Sequence, residues 1–184
     1  LSKVVKEAGD NDDVHVIILS GRGAAFCAGY DLSAFAEEKD NPLTQKMPWD
    51  PIKDYRFMWG NNEHFMSLFH CLKPVICKIH GIGALAGGSD IALCSDFIFM
   101  ENDAKIGYMP TRVWGTPTTA MWMYRLGPEK AKRMLFTGDK ISGLEAEKLG
   151  LVLKAVSKEK LDDEVNSFAM RMTSVPLNQL AMQK

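Results

Sequence analysis

Two glycine-rich segments of the sequence carry residue types that acyl and proton chemistry uses. One of them, residues 87–90, reads Gly-Gly-Ser-Asp and opens a predicted short helix. Amides in the first turn of a helix have no internal acceptor, and glycine lets a ligand approach them closely, so they could bind an oxyanion. Asp90 lies in the same turn and could act as an acid or base, although a carboxylate also favours a helix N-terminus for structural reasons alone.

The other segment is residues 24–32, which follow the first predicted strand and read A-A-F-C-A-G-Y-D-L. Its small residues would leave room for a ligand and would let the amide of Tyr30 donate to it. Ligands of open α/β sheets bind at the carboxyl ends of strands, where this segment begins. The structural alternative is an ordinary strand-to-helix turn that Asp31 caps.

Residues 81–86 match the dinucleotide fingerprint G-x-G-x-x-G/A after a strand, and Glu101 stands where a ribose-binding acid would. This pattern would indicate an NAD-dependent enzyme. Two features count against it. The glycines continue through Gly87 and Gly88, which delays the helix, and the pattern falls in mid-chain rather than at the start of a domain.

Composition excludes other classes of protein. The 184 residues include 22 Lys and Arg and 23 Asp and Glu, and a net charge of −1 argues against a nucleic-acid partner. No apolar run approaches the roughly 18 residues of a membrane span. The histidines and cysteines of residues 64–80 fit no spacing of metal ligands, so no metal is expected.

The four cysteines form no Cys-x-x-Cys pair, which favours a reducing compartment: the cytoplasm, or an organelle matrix if an upstream targeting segment was removed. Helical periodicity runs into Leu1 and out of Lys184. We therefore expect both ends of the chain to be truncated.

The elements that must position these segments predict an α/β fold. Buried strands that alternate with helices favour a parallel sheet with helical crossovers. Strands are predicted at 14–19, 75–79, 97–100 and 151–156. Helices are predicted at 1–8, 55–72, 89–94 and 161–172, with further helix starts at 116–117 and 127–128 and a capping box at 142–145 that leads into a helix ending at Gly150. The polar residues 37–54 are predicted to be the most mobile.

Together, these motifs resemble the crotonase family, also called the enoyl-CoA hydratase/isomerase superfamily, from about residue 14 to 184. The segments that carry the resemblance are 25–32, 73–76, 80–81, 87–93 with Asp96, 105–107 with Pro110, and 135–152. The resemblance implies a fold of stacked ββα turns in residues 1–115. It also implies a helical C-terminal region in residues 116–184 that forms a homotrimer or hexamer.

The resemblance further implies an acyl-CoA substrate, with coenzyme A as part of the substrate and no separate cofactor. The two backbone amides that polarise the thioester carbonyl in this family fall on Tyr30 and Gly87. The first of two catalytic glutamates falls on Asp90, which is one methylene shorter. The second would follow Pro110, where Thr111 stands instead and could orient water. Substrate-binding positions fall on Ala28, Gly29, Asp31, Leu32, Gly88 and Pro110.

We therefore expect an enzyme, nominally an enoyl-CoA hydratase, that adds water to a 2-enoyl-CoA through an enolate stabilised by an oxyanion hole. The absent second carboxylate leaves three other activities of the same fold open: isomerase, hydrolase and decarboxylase. A non-catalytic CoA-binding module is also open. The family's opening strands, with their R-P…A-L-N segment, and its final helices are expected to be missing from this chain.

Overall fold

The structure, a computed structural model, describes residues 1–31, 45–113 and 115–184. The strands are β1 Ile17–Ser20, β2 Val75–Ile79, β3 Gly83–Leu85, β4 Phe97–Glu101, β5 Lys105–Gly107, β6 Lys140–Ser142 and β7 Lys154–Val156. The helices are α1 Ser2–Asp10, α2 Pro51–His70, α3 Gly87–Leu93, α4 Met121–Thr137, α5 Gly143–Leu149, α6 Leu161–Met172 and α7 Leu177–Gln183. Short 3-10 turns span Met109–Val113 and Lys158–Lys160.

The larger sheet has the order β1-β2-β4-β7, and every neighbouring pair is parallel. This confirms the α/β fold and the parallel sheet that the sequence predicts. β2 matches its predicted bounds, because a short β-branched run between turn residues is typical of a strand covered on both faces. Its side chains alternate: Val75, Cys77 and Ile79 join the main core, whereas Ile76 packs with Val165 of α6 on the opposite face.

The smaller sheet, with the order β3-β5-β6, was not predicted. β3 lies inside the glycine-rich stretch and pairs with β5 in parallel, while β6 pairs with β5 antiparallel. Each of these strands has three residues, too few to show a period of two in the sequence. β6 and β7 both follow residue 116, so the predominantly helical region predicted there also contributes a strand to each sheet. The division at residues 115 and 116 stays a prediction.

Several predicted boundaries were wrong for local reasons. α2 begins at Pro51 rather than Tyr55, because Asp50 accepts a hydrogen bond from the Ile52 amide (3.0 Å) and proline suits the first turn. Residues 51–54 of the stretch predicted to be mobile are therefore helical, and residues 37–44 lie outside the described residues. The strand predicted from residue 14 begins at Ile17.

The last third of the chain confirms some predictions and corrects one. α6 has its predicted bounds, and Gly150 ends α5 in the left-handed conformation with φ of 81°. The helix predicted from residues 116–117 begins only at Met121. The predicted start at 127–128 is present as a break inside α4, where Gly127 has φ of 72°. Ser142 caps the Glu145 amide as predicted (3.2 Å), while the Glu145 carboxylate lies 2.9 Å from Arg133.

Within the described ranges, no helix combines the length and the apolar character that crossing a bilayer requires. The four cysteines are free thiols, and Cys77 and Cys94 are fully buried in the core.

Gly83→Ala tests how tightly β3 is packed against β5. Gly83 has φ of 117°, and a β-carbon there would lie 1.9 Å from the Lys105 carbonyl oxygen. We expect urea denaturation to show a loss of roughly 3 kcal/mol or more in the free energy of unfolding. Gly60→Ala in α2 is the matched control, because no described atom beyond its neighbours and its own helix backbone lies within 4 Å of the β-carbon position. It should gain about 0.5–1 kcal/mol. Equal stabilities of the two variants would contradict this packing.

Candidate active site

The two glycine-rich segments predicted to form a site lie against each other. The Cys27 amide donates to the Gly83 carbonyl (3.1 Å), and the Leu85 amide donates to the Cys27 carbonyl (2.9 Å). These bonds extend the edge of β3 by one isolated parallel bridge between Cys27 and Ala84. The loop after β1 is therefore held by backbone hydrogen bonds directly beside the start of α3.

Glycine is required where the two segments approach most closely. A β-carbon on Gly88 would lie 2.3 Å from the Cys27 carbonyl oxygen. Gly29 has φ of 116°, and its β-carbon would lie 3.0 Å from that of Ala86. Both residues were predicted to bind substrate. Their position gives each of them a packing role as well, since a side chain at either would push the loop away from α3.

The turn into α3 is strained. Ala86 has φ of 51° and ψ of −126°, which a residue with a side chain rarely adopts. The strain is held by two hydrogen bonds: the Ala86 amide donates to the Gly107 carbonyl (3.0 Å), and the Ser89 amide donates to the Ala86 carbonyl (2.9 Å). This turn places the Gly87 amide at the first position of α3. Within the described part of the chain, no group accepts a hydrogen bond from that amide.

Tyr30 and Gly87, the predicted amide pair, lie next to each other. A β-carbon on Gly87 would be 3.1 Å from the edge of the Tyr30 ring. The ring can therefore pack there because Gly87 has no side chain. The Tyr30 side chain is 49% exposed. The backbone of Tyr30 follows Gly29, which packs against Ala86. The two segments thus converge at the residues whose amides the sequence singled out.

Asp90 lies one turn into α3 and is 2% exposed. Its Oδ1 atom is buried and has no hydrogen-bond partner among the residues that the structure describes. Burial raises the pKa of this carboxyl from its usual 3.8 to about 7, because the ionised form loses its hydration. A carboxylate that only capped the helix would lie in solvent and accept amide hydrogen bonds, so the structural alternative does not fit Asp90.

Three other titratable side chains surround Asp90. The negative charge of Asp90 raises the pKa of the Tyr30 phenol, the Tyr108 phenol and the Cys94 thiol, and burial contributes more than this charge in each case. Cys94 directly follows α3, four residues after Asp90, and is buried in the core, as the sequence predicted. Tyr108 was missed, because the sequence gives no sign that the residue after β5 interacts electrostatically with Asp90.

The far end of α3 is fixed by Arg125 of α4. Its guanidinium donates to the carbonyl oxygens of Leu93 (2.7 Å) and Ser95. These carbonyls lie at the C-terminal end of the helix, where a cation is favourable. Arg125 therefore stabilises the helix that carries Asp90 without lying in the predicted site.

The structure gives Thr111 a packing role. Its hydroxyl donates to the Leu135 carbonyl (2.7 Å), and its methyl group faces Gly138 of the segment after α4. Because its proton is engaged there, we do not assign Thr111 to orienting water. Pro110 begins the same turn, and its carbonyl accepts from the Gly115 amide (2.7 Å). Arg112 likewise binds the end of α4, through the Thr137 carbonyl (2.8 Å).

The remaining predicted substrate-binding residues lie at the surface of the loop after β1. Ala28 and Asp31 are exposed, and Gly29 is half-buried between them. Leu32 lies outside the described residues. An exposed edge next to a buried carboxylate suits a ligand with a large polar portion in solvent and a small reacting group inside.

The residues of the dinucleotide pattern have structural roles within the chain. Residues 83–85 form β3 rather than the helix that the fingerprint requires. The Glu101 carboxylate accepts a hydrogen bond from the Gly81 amide (2.8 Å), so it is engaged within the chain. Among the described side chains, no group of three His, Cys, Asp or Glu converges as metal ligands would.

Comparison with known proteins identifies the family. The family model for enoyl-CoA hydratase/isomerase matches residues 1–184. A crotonyl-CoA hydratase from Syntrophomonas wolfei is 32% identical over 184 residues, which cover 95% of this chain and 64% of that protein. A Rhodococcus jostii protein named as a hydrolase of an indene-carboxyl-CoA is 28% identical over 95% of this chain and 63% of its own length.

Among solved structures, an enoyl-CoA hydratase from Mycobacterium smegmatis is 44% identical and superimposes with a TM-score of 0.89, over 100% of this chain and 64% of that one. The chain belongs to the enoyl-CoA hydratase/isomerase family and has its crotonase-like α/β fold. This confirms the family and fold class that the sequence predicts. The chain spans slightly under two thirds of the length of these relatives.

Asp90→Asn should stabilise the protein in a pH-dependent way. Because the pKa of Asp90 is higher in the folded state (about 7) than its usual 3.8, folding favours the protonated form. The cost of burying the ionised form is absent below about pH 4, grows up to about pH 7 and is then constant. Thermal or urea denaturation should show Asp90→Asn to be more stable than wild type at pH 8, by up to about 4 kcal/mol, and little different at pH 4.

Asp12→Asn is the control for this change of charge, because Asp12 is exposed in the turn after α1. Its stability should stay close to that of wild type at both pH values. Parallel stability curves for wild type and Asp90→Asn from pH 4 to 8 would contradict the burial of an unpaired carboxyl at this position.

Proposed function

We propose that this protein is an enoyl-CoA hydratase in which a single carboxyl group, that of Asp90, moves the proton. The observation that carries the proposal is the first turn of α3: Oδ1 of the buried Asp90 has no hydrogen-bond partner among the described residues, and the Gly87 amide has no acceptor among them. The identification of the family supports an acyl-CoA substrate, and a relative named crotonyl-CoA hydratase supports a short 2-enoyl chain.

The Tyr30 and Gly87 amides bind the thioester carbonyl oxygen of the substrate. Charge develops on this oxygen as the enolate forms, and donors that are already fixed stabilise it without reorganising. One such donor typically contributes about 3 kcal/mol to the transition state. The hydrogen bonds of Cys27 to β3 hold one amide in place, and the strained turn at Ala86 holds the other.

Asp90 acts first as a base and then as an acid. Its carboxylate takes a proton from water while the water oxygen bonds to C3 of the enoyl group, and the electron pair of the double bond moves onto the thioester oxygen. The protonated Asp90 then gives that proton to C2, which restores the thioester and the carboxylate. A pKa of about 7 suits a group that performs both transfers near neutral pH.

A hydrolase is the second candidate. The Rhodococcus jostii relative named as a hydrolase of an indene-carboxyl-CoA matches 95% of this chain, and Thr111 rather than a carboxylate directly follows Pro110. In a hydrolase the same amides would stabilise a tetrahedral intermediate, and Asp90 would direct water to the thioester carbon instead of C3. The two reactions give different products, a 3-hydroxyacyl-CoA in one case and free coenzyme A in the other.

We also propose that the protein forms a trimer or hexamer through residues 116–184. In that region α4 exposes three large side chains, Met123 (39%), Tyr124 (70%) and Phe136 (80%), as contact surfaces between subunits do. Coenzyme A enters as part of the substrate, with no further cofactor. The proposed compartment is the cytoplasm or an organelle matrix, and neither a membrane nor a nucleic acid is a proposed partner.

Hydration of crotonyl-CoA tests the proposal. Loss of the enoyl-thioester absorbance should be fast with wild type and Asp12→Asn and should fall by about 10²- to 10⁴-fold with Asp90→Asn. For wild type, kcat/KM should rise with pH up to about 7 and then level off, since the base must be ionised in the free enzyme.

Product mass separates the activities in the same samples. Hydration adds one water to crotonyl-CoA, whereas hydrolysis releases free coenzyme A. Unchanged turnover in Asp90→Asn would remove Asp90 from the mechanism. Release of coenzyme A without hydration would replace the hydratase by the hydrolase.

A further inference from the structure

The position of Asp90 in the site depends on the helix that carries it. α3 runs from Gly87 to Leu93, and Asp90 is its middle residue. Oδ1 of the carboxyl makes no hydrogen bond to another described residue, so no bond at that atom fixes it within the site. A helix of seven residues is only about 10 Å long. The carboxyl is therefore held as firmly as the two ends of α3 are held.

Backbone contacts fix the N-terminal end of α3. The Ala86 amide donates to the Gly107 carbonyl (3.0 Å). The backbone of Gly88 lies against the Cys27 carbonyl, so that a β-carbon would be 2.3 Å from its oxygen. These contacts hold Gly87, whose amide is proposed to bind the thioester. The direction of the helix axis from this turn is set at the other end.

A side chain of α4 holds the C-terminal end of α3. The guanidinium of Arg125 donates to the carbonyl oxygens of Leu93 (2.7 Å) and Ser95. Both residues are buried, and among the described residues no backbone amide donates to either carbonyl. The next bond to another segment joins the Asp96 amide to the Val75 carbonyl (2.9 Å), three residues after the helix ends. Because the guanidinium is a planar fork of fixed donors, it holds both carbonyls in one geometry.

The same helix α4 holds the end of α5 in a similar way. Nζ of Lys130 donates to the carbonyl of Leu149 (3.0 Å), which is the last residue of α5 as Leu93 is of α3. A cation is favourable at the C-terminal end of any helix. α5 carries none of the residues placed in the candidate site. The two contacts are therefore alike in kind and differ in what the bound helix carries.

We propose that Arg125 is a positioning residue for hydration: by holding the C-terminal end of α3, it keeps the Asp90 carboxyl buried and directed at the reacting carbons. This inference rests on the proposed hydratase function. Arg125 acts through Asp90 and transfers no proton, so the balance of the reaction is that given above. A displacement of a reacting group by about 1 Å can slow a reaction about 100-fold, so a small tilt of α3 is enough to matter.

Arg125→Met tests this role, because methionine keeps an unbranched apolar stem and removes the donors. We expect kcat for hydration of crotonyl-CoA to fall about 10- to 100-fold while KM stays within about twofold, since Gly87 lies at the anchored end of the helix. Lys130→Met is the matched control and should keep kcat within about twofold of wild type, although it also loses a bond to a helix end. Arg125→Lys restores a cation without the fork, so its kcat should fall only about three- to tenfold.

Titration of Asp90 by ¹³C NMR gives a readout that needs no turnover. Burial raises the pKa of this carboxyl to about 7. Loss of the Arg125 cation by itself would raise this pKa or leave it unchanged, whereas a tilt of α3 that admits water would lower it. We expect the midpoint in Arg125→Met to fall below about pH 6 and the midpoint in Lys130→Met to stay at about 7.

The outcomes separate the two proposals. An Asp90 midpoint near 7 in Arg125→Met, or a loss of kcat that Lys130→Met shares, would overturn the positioning role and leave the proposed function intact. Absence of hydration by wild type would overturn the proposed function, and the Asp90 midpoints would still decide whether Arg125 positions the carboxyl. If Arg125→Met does not fold, Arg125→Lys decides in its place: a wild-type kcat and a wild-type midpoint would overturn the role of Arg125.

Discussion

The candidate site depends on one backbone contact, the docking of the loop after β1 onto the edge of β3. Two hydrogen bonds at Cys27 make this contact, and it is possible only because Gly88 has no side chain where the Cys27 carbonyl passes. The same contact places Tyr30 beside Gly87, at the start of the helix that carries Asp90. A shift of this loop would therefore separate the two residues whose amides are proposed to bind the substrate.

The arrangement lowers the stability of the fold. A carboxyl that is 2% exposed, with no partner for Oδ1 among the described residues, is unfavourable, and so is a residue with a side chain at φ of 51°. These two residues, Ala86 and Asp90, lie within five residues of each other, at the start of α3. The surrounding structure compensates through β2, in which four of five residues are buried, and through the hydrogen bonds from Arg125 to the end of α3. Such a concentration of unfavourable groups at one place is typical of a site selected for function.

The sequence predicts those elements and site residues that depend on local residue patterns. β2 and α6 have their predicted bounds, because a β-branched run and an amphipathic period each extend over enough residues to be specific. Gly87, Asp90 and Tyr30 could be singled out because glycine-rich turns beside a carboxylate are visible in the residues themselves. The three-residue strands could not be predicted, nor the hydrogen bond of Thr111 to Leu135. Each of these depends on contacts between segments that are distant in sequence.

The most direct test of this account is the titration of Asp90 itself, followed by NMR of the protein with ¹³C-labelled aspartate carboxyl groups and assigned by its absence from Asp90→Asn. The account predicts that this resonance titrates near pH 7, because burial disfavours the ionised form. A midpoint near pH 4 would mean that water reaches the carboxylate. The burial of Asp90, and the single-carboxyl chemistry inferred from it, would then be contradicted.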